Sequence, residues 1–387
     1  ALQALVAAYV IWLVVRSAVQ SAVQANVPRQ TGLYFLILVA LLSLLSSLSW
    51  FASLVMPDIL GPLLYLSIYL MVFARETLSR TEHLLVALVA WWAVASHASH
   101  LILAAGLCVL LAFLLIFWFR GIAGRWRAVA EVAGIILLAA AAQVALHAYL
   151  YGQPSLNGER PPFLMARLIA DGPGRWYLEQ NCPQANLAIC EYVHELPSGT
   201  DAFLWGEDSI LEKAGPEGET RFREEETRFL LGTLRAYPRE QLYKSAANFW
   251  QQLTAFGLWD LGANDWVAEA FDRAMPGQSG RYLQSRQAQD ALPLELFTGV
   301  HNWTVIASLA VIAVCAPFLW QRRRLRLAGL GVVIASTVLA NAFVTGAFSN
   351  VEDRYEARII WLVPLLAALC LLDLLANSRE RRLARQS

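Results

Sequence analysis

Apolar residues in this chain come in long blocks, close to the roughly 20 residues that an α-helix needs to cross a bilayer core. No other feature restricts its fold as much. Candidate spans are residues 1–20, 34–55, 59–74, 84–96, 101–119, 129–150, 303–320, 327–348 and 359–375, about nine crossings. With 57% hydrophobic residues against 16% charged, the chain is too apolar for an ordinary water-soluble domain. The reading is an all-α polytopic membrane protein. About six spans fill residues 1–151, a mainly helical exterior domain occupies 152–298, and about three spans follow in 299–387, ending in a basic tail.

Lys and Arg placement orients such a chain, because short cytoplasmic loops carry the excess of positive charge. Basic stretches at 120–127, 322–326 and 379–385 are placed in the cytoplasm, and Arg75 and Arg80 agree. Alternation then puts Met56-Pro57-Asp58, the hairpin at 96–100, the 152–298 insert and the charged turn at 349–358 outside. The same parity puts Ala1 outside, so a further span and exterior loop are expected to precede it.

The insert holds most of the charged residues. Pro238 suits a first helical position. Leu242, Ala246, Phe249, Trp250 and Leu253 follow at helical spacing, and residues 224–236 are expected to form a partner helix. The part from 152 to 199 reads as less regular, with Phe163, Trp176 and Tyr177 needing burial. Cys182 and Cys190 are expected to form a disulfide, as suits an oxidising exterior compartment. A zinc pair competes, but two cysteines do not complete a site. Cys108, Cys315 and Cys370 lie within spans as small apolar residues.

Polar residues at the exterior ends of spans are the candidate site. Asp58 either caps the helix that follows it or is an acid facing a cavity, where it would meet a cation, a hydroxyl or a divalent metal. His97 and His100, three residues apart, would share one helical face suited to a metal or a phosphate; as plain interfacial residues they would turn a hairpin. Glu352, Asp353, Arg354, Tyr355, Glu356 and Arg358 form a dense charged cluster beside an apolar run. Arg354 and Arg358 are placed at headgroup depth, where with Tyr355 beside them they either grip lipid phosphate or, paired locally with Glu352 and Asp353, serve as a plain interfacial anchor. Asp58, His97, His100 and Arg354 are expected around one outward-opening cavity. No phosphate-binding loop, GxSxG or HExxH motif occurs. A formal net charge of +0, with basic residues at membrane edges, argues against a nucleic-acid partner.

The layout resembles the GT-C superfamily of membrane glycosyltransferases. The likeness rests on short-looped spans, an exterior helical domain before the last spans, and Asp353-Arg354-Tyr355 running to Pro364-Leu365-Leu366. Met56-Pro57-Asp58-Ile59-Leu60 resembles a segment in uncharacterised bacterial members. So does Ala166-Arg167-Leu168-Ile169-Ala170-Asp171-Gly172-Pro173-Gly174, continuing to Cys182-Pro183, Cys190 and Phe203-Leu204-Trp205. The resemblance implies a bacterial inner membrane with the large loop periplasmic and the C-terminus cytoplasmic. It implies sugar transfer from a polyprenyl-phosphate carrier, with Arg354 and Tyr355 near the donor phosphate. The family's catalytic carboxylate lies in a first exterior loop that this chain does not show. The catalytic base is therefore unassigned, and Asp58 is its candidate. Two other readings stand beside this one. An O-antigen ligase or polymerase-like enzyme relies on Arg and His; a non-catalytic scaffold would dock a protein partner through the exterior domain.

Overall fold

The computed structural model describes residues 1–22, 28–54, 56–119, 124–156, 158–206, 208–263, 265–321 and 324–383. Val55 and Arg120, Arg322, Arg323 and Arg385 of the orienting basic stretches lie outside the described residues. Among the described residues there is no strand. The chain opens with α1 (Leu2–Ala22), α2 (Pro28–Leu45), α3 (Leu48–Ser53), α4 (Leu60–Phe73), α5 (Arg80–Ser96), α6 (Ala98–Phe117) and α7 (Arg125–Tyr151). It continues with α8 (Phe163–Asp171), α9 (Pro173–Asn181), α10 (Thr200–Leu204), α11 (Ile210–Ala236) and α12 (Pro238–Thr254). After α13 (Asp265–Ala274) and α14 (Ser279–Leu283) come α15 (Leu294–Gln321), α16 (Leu325–Phe348), α17 (Asp353–Ile360) and α18 (Leu362–Leu383).

Among the described residues six stretches are long and apolar enough to cross a membrane: Leu2–Gln20, Ala98–Phe117, Arg125–Tyr151, Leu294–Leu319, Leu325–Phe348 and Asp353–Leu375. Thr31–Leu45 and Pro57–Phe73 are shorter apolar helices. The described residues are thus all-helical, with six candidate membrane-spanning helices.

One expected span is a broken helix, and another, within Asp353–Leu375, carries a turn near its start. The run at 34–55 stops at Leu45, where Ser46 Oγ turns back to donate to the Leu42 carbonyl at 2.5 Å. Ser47 Oγ leaves the segment altogether and donates to the Ala357 carbonyl, also at 2.5 Å. The run at 359–375 is divided at Trp361 between α17 and α18. Pro364 supplies the reason, since its ring opposes the carbonyl of Ile360 four residues earlier and carries no N–H for it.

The chain folds as two compact units. The first comprises Ala1–Ala140, Phe256–Val338 and Glu356–Ser387. Its centre is α4, buried along its entire length, with α1, α5 and α6 packed against it. α18 packs on α15 and α1. On the outer faces Leu84, Leu88, Ile102, Val109 and Phe113 are exposed, a surface suited to lipid rather than water. Charges at helix ends are paired: Arg16 grips Glu82 through two contacts of 2.6 and 3.0 Å, and Arg326 meets Glu76 at 2.7 Å. Arg75 pairs with Glu131, and Arg324 with Asp373.

The second unit comprises Ala141–Ala255 and Leu339–Tyr355. It holds a core of the kind found in water-soluble domains, with Met165, Ile169, Leu178, Phe203, Phe222 and Phe229 buried together. Each fully buried aromatic of this kind contributes about 1.5–3 kcal/mol. The segment expected to be irregular is a helical hairpin, α8 to α9. Gly172 makes its turn at φ 106°, a conformation side chains resist, and Pro173 opens α9. Glu226 of α11, itself buried, accepts the N–H groups of Leu164 and Met165 at 2.8 and 3.1 Å. It thereby satisfies the free amides at the start of α8. α11 begins well before the expected residue 224, at Ile210, and bends where Gly215 and Pro216 interrupt it. Cys182 and Cys190 form the expected disulfide, joining the end of α9 to the helical turn Ala188–Tyr192.

Candidate functional site

Asp58 and Arg358 meet in the first unit although 300 positions separate them. Extended backbone at Met56 leads into a helical turn at Pro57–Ile59, and this aims Asp58 inward ahead of α4. Arg358 Nη1 donates to Asp58 Oδ1 at 3.1 Å. Both are almost fully buried, at 5% and 3% exposed. No side-chain cap bond is made at the start of this turn or of α4, so Asp58 is a partner of Arg358 rather than a helix cap. Around Arg358, Trp361 Nε1 donates to its carbonyl at 3.0 Å.

His100 is buried in the same unit. Its ring Nδ1 lies 2.8 Å from the Ala93 carbonyl, which fixes the ring, and its Nε2 faces Gly61. His100 and Tyr65, both about 1% exposed, lie within electrostatic reach of the Arg358 guanidinium. His97 does not share a helical face with His100. It is the residue before α6, extended, and its Nδ1 accepts from the Ser99 N–H at 3.2 Å. The two imidazoles still adjoin, with ring centroids 5.2 Å apart. Among the described residues no group of three His, Cys, Asp or Glu side chains converges as a metal site would require. Asp58 and Arg358 thus form a buried pair, with the buried His100 within electrostatic reach of Arg358.

Arg354 and Tyr355 belong to the second unit. The Arg354 guanidinium lies over the Tyr355 ring at 5.3 Å, a cation–π arrangement. The Tyr355 carbonyl accepts from Asn341 Nδ2 at 2.8 Å. The charged turn just before them is held by a polar network. Gln252, wholly buried, clasps the backbone of Glu352 from both sides. Its Nε2 donates to the carbonyl at 2.7 Å and its Oε1 accepts the N–H at 3.0 Å. Asn350 donates to Glu352 Oε1 at 2.7 Å and to Asp201 Oδ2 at 3.2 Å. Its Oδ1 takes a long contact of 3.4 Å from Arg167.

Arg167 in turn donates to Asp171 at 2.6 Å, and Gln241 and Asn248 add bonds of 2.8 and 2.9 Å to the same carboxylate. A carboxylate buried this deeply is stable only when it is well hydrogen-bonded, and these three donors occupy most of its acceptor sites. The Ala166–Gly174 motif thus anchors α12 through Asp171 and reaches the turn through the single Arg167–Asn350 contact. Gln241, Asn248, Gln252 and Asn341 were not singled out from the sequence. The signal was present: Gln241, Ser245, Asn248 and Gln252 form a polar stripe at helical spacing. No protein-family model, curated protein or solved structure matches the chain.

Proposed function

We propose that this chain is a GT-C-like membrane glycosyltransferase. It would move a sugar from a polyprenyl-phosphate carrier to an acceptor at the periplasmic face of the bacterial inner membrane. The observation that carries the reading is the buried contact of Asp58 with Arg358 beside His100. A carboxylate, a guanidinium and an imidazole are gathered in a region of apolar helices, where each is costly to keep without a use.

In the proposed mechanism the carrier phosphate replaces Asp58 as the anionic partner of Arg358. That exchange frees the Asp58 carboxylate, which accepts the acceptor hydroxyl's proton as the acceptor oxygen bonds to the sugar carbon. The bond from that carbon to the phosphate oxygen breaks, and Arg358 stabilises the charge left on the phosphate. Arg354 and Tyr355 are the phosphate contacts that the resemblance implies. A divalent cation on Asp58 would serve the same leaving group.

The full chain in nanodiscs is expected to bind a polyprenyl phosphate and to transfer a labelled sugar from its glycosylated form. Asp58→Asn should abolish transfer while keeping binding; Arg358→Lys should weaken binding at least tenfold. Absence of both binding and transfer in the wild type would leave the scaffold reading. That reading is favoured by one observation, that the Asp58 carboxylate is already committed to Arg358.

A further inference from the structure

α12 is amphipathic the wrong way round for a helix of a water-soluble domain. Successive residues advance about 100° around a helix. The side turned into the second unit carries Gln241, Ser245, Asn248 and Gln252, with Gln241 and Gln252 buried. An adjoining arc of about a quarter turn carries Leu242, Ala246, Trp250 and Leu253, with Tyr243 at its edge. This apolar side is open: Leu242 is 72% exposed, Tyr243 73% and Trp250 65%. The third side, with Glu240, Lys244 and Gln251, is polar and exposed. A helix with one protein face, one open apolar face and one open polar face fits a boundary between hydrocarbon and water.

Its place in the unit sets its depth. α12 lies against the last turns of α16, one of the helices apolar and long enough to cross a membrane. The Phe249 and Phe343 rings are 6.4 Å apart, and Gly346 backs directly onto the Asn248 backbone. Since α16 ends at Phe348, Phe343 lies about 7.5 Å along the axis from that end. That is the level where acyl chains give way to headgroups. Phe343 also touches Phe348 at 5.3 Å, and both are nearly half exposed, as is Leu339. The apolar arc of α12 thus continues, through Phe249, into the lipid-facing flank of α16. Arg239 falls within the arc one turn before Tyr243, where its stem can lie on acyl chains and its guanidinium reach a phosphate.

We infer that α12 is an interfacial membrane helix, with its Leu242–Ala246–Trp250–Leu253 face inserted at the headgroup–acyl boundary and covered by lipid. The test uses the full chain in vesicles of phosphatidylethanolamine and phosphatidylglycerol. Cys108, Cys315 and Cys370 are replaced by Ala, and a nitroxide is attached through Leu242→Cys, Trp250→Cys or Lys244→Cys. The ratio of oxygen to nickel-chelate accessibility at 242 and 250 should exceed that at 244 several-fold. Equal ratios at all three positions would overturn the inference, because the face would then be in water. Protection of 242 and 250 from both reagents would overturn it equally, since a protein would then cover the face. Circular dichroism and an intact Cys182–Cys190 bond identify the variants that have folded.

Discussion

Gly346 stands so close to α12 that a Cβ built on it would lie 2.7 Å from the carbonyl oxygen of Asn248. The obstacle is backbone, which cannot rotate out of the way. Gly346→Ala therefore requires α12 to move off α16 and should cost about 1–3 kcal/mol, as overpacking does elsewhere. Thermal unfolding of the full chain in detergent would show a lowered midpoint for Gly346→Ala. Gly299→Ala is the control, because nothing lies within 4 Å of its added methyl. Equal midpoints for the two variants would refute the close packing.

Gln252 holds the charged turn by its backbone, so its loss should be felt at Glu352 rather than across the unit. Gln252→Leu keeps the volume and removes both bonds to the partly buried Glu352 backbone. The expected cost is about 0.5–1.5 kcal/mol for each bond lost. Hydrogen exchange measured by mass spectrometry should show faster exchange at residues 350–353 in the variant. Unchanged exchange there would mean that the turn is ordered by something else.

How much of this was legible in the sequence depends on the range of each interaction. Apolar run length and the disulfide were readable because each is a local property. The break at Ser46 and Ser47 was not, since serines sit comfortably inside apolar helices and only their bonds to Leu42 and Ala357 reveal the interruption. The break at Trp361 had a visible cause in Pro364. α12 was recognised as a helix, but spacing cannot say which face turns inward. Its polar stripe wins the protein side because Asp171 and the Glu352 backbone must be satisfied there. Asp58 and His100 were flagged as polar residues near membrane ends, and so was Arg358. That Arg358 in particular would close on Asp58 is a contact over 300 positions that one sequence does not encode visibly.

Glu82 gives the fold a defined acid sensitivity. The hydrogen bond from Arg16, followed by those from Ser79, holds its carboxyl down at about 2, against an ordinary 4.5. A depressed carboxylate contributes stability that is fully present above the ordinary value and is lost as pH falls through the depressed one. The contribution of the pair should therefore disappear between about pH 4.5 and pH 2. Glu82→Gln should lower stability by about 1–2 kcal/mol at neutral pH, given the partial exposure of the pair. Its unfolding midpoint should converge on that of the wild type near pH 2. Parallel pH profiles for the two proteins would refute the assignment.

The Asp58–Arg358 pair makes an opposite demand, because its energy depends on mutual presence. Asp58→Asn removes the carboxylate that the buried Arg358, 3% exposed, contacts at 3.1 Å. Removing one member of such a pair costs about 3–5 kcal/mol. Replacing both members, as in Asp58→Asn with Arg358→Met, should cost much less than the sum of the single changes, since no charge is then stranded. A double-mutant cycle on unfolding of the full chain in detergent measures that difference, and a coupling near zero would mean the two groups do not interact. The same variants separate structure from substrate binding. If added polyprenyl phosphate raises the midpoint of Asp58→Asn more than that of the wild type, an anion is taking the place Asp58 left at Arg358. If it raises neither, the pair is structural alone.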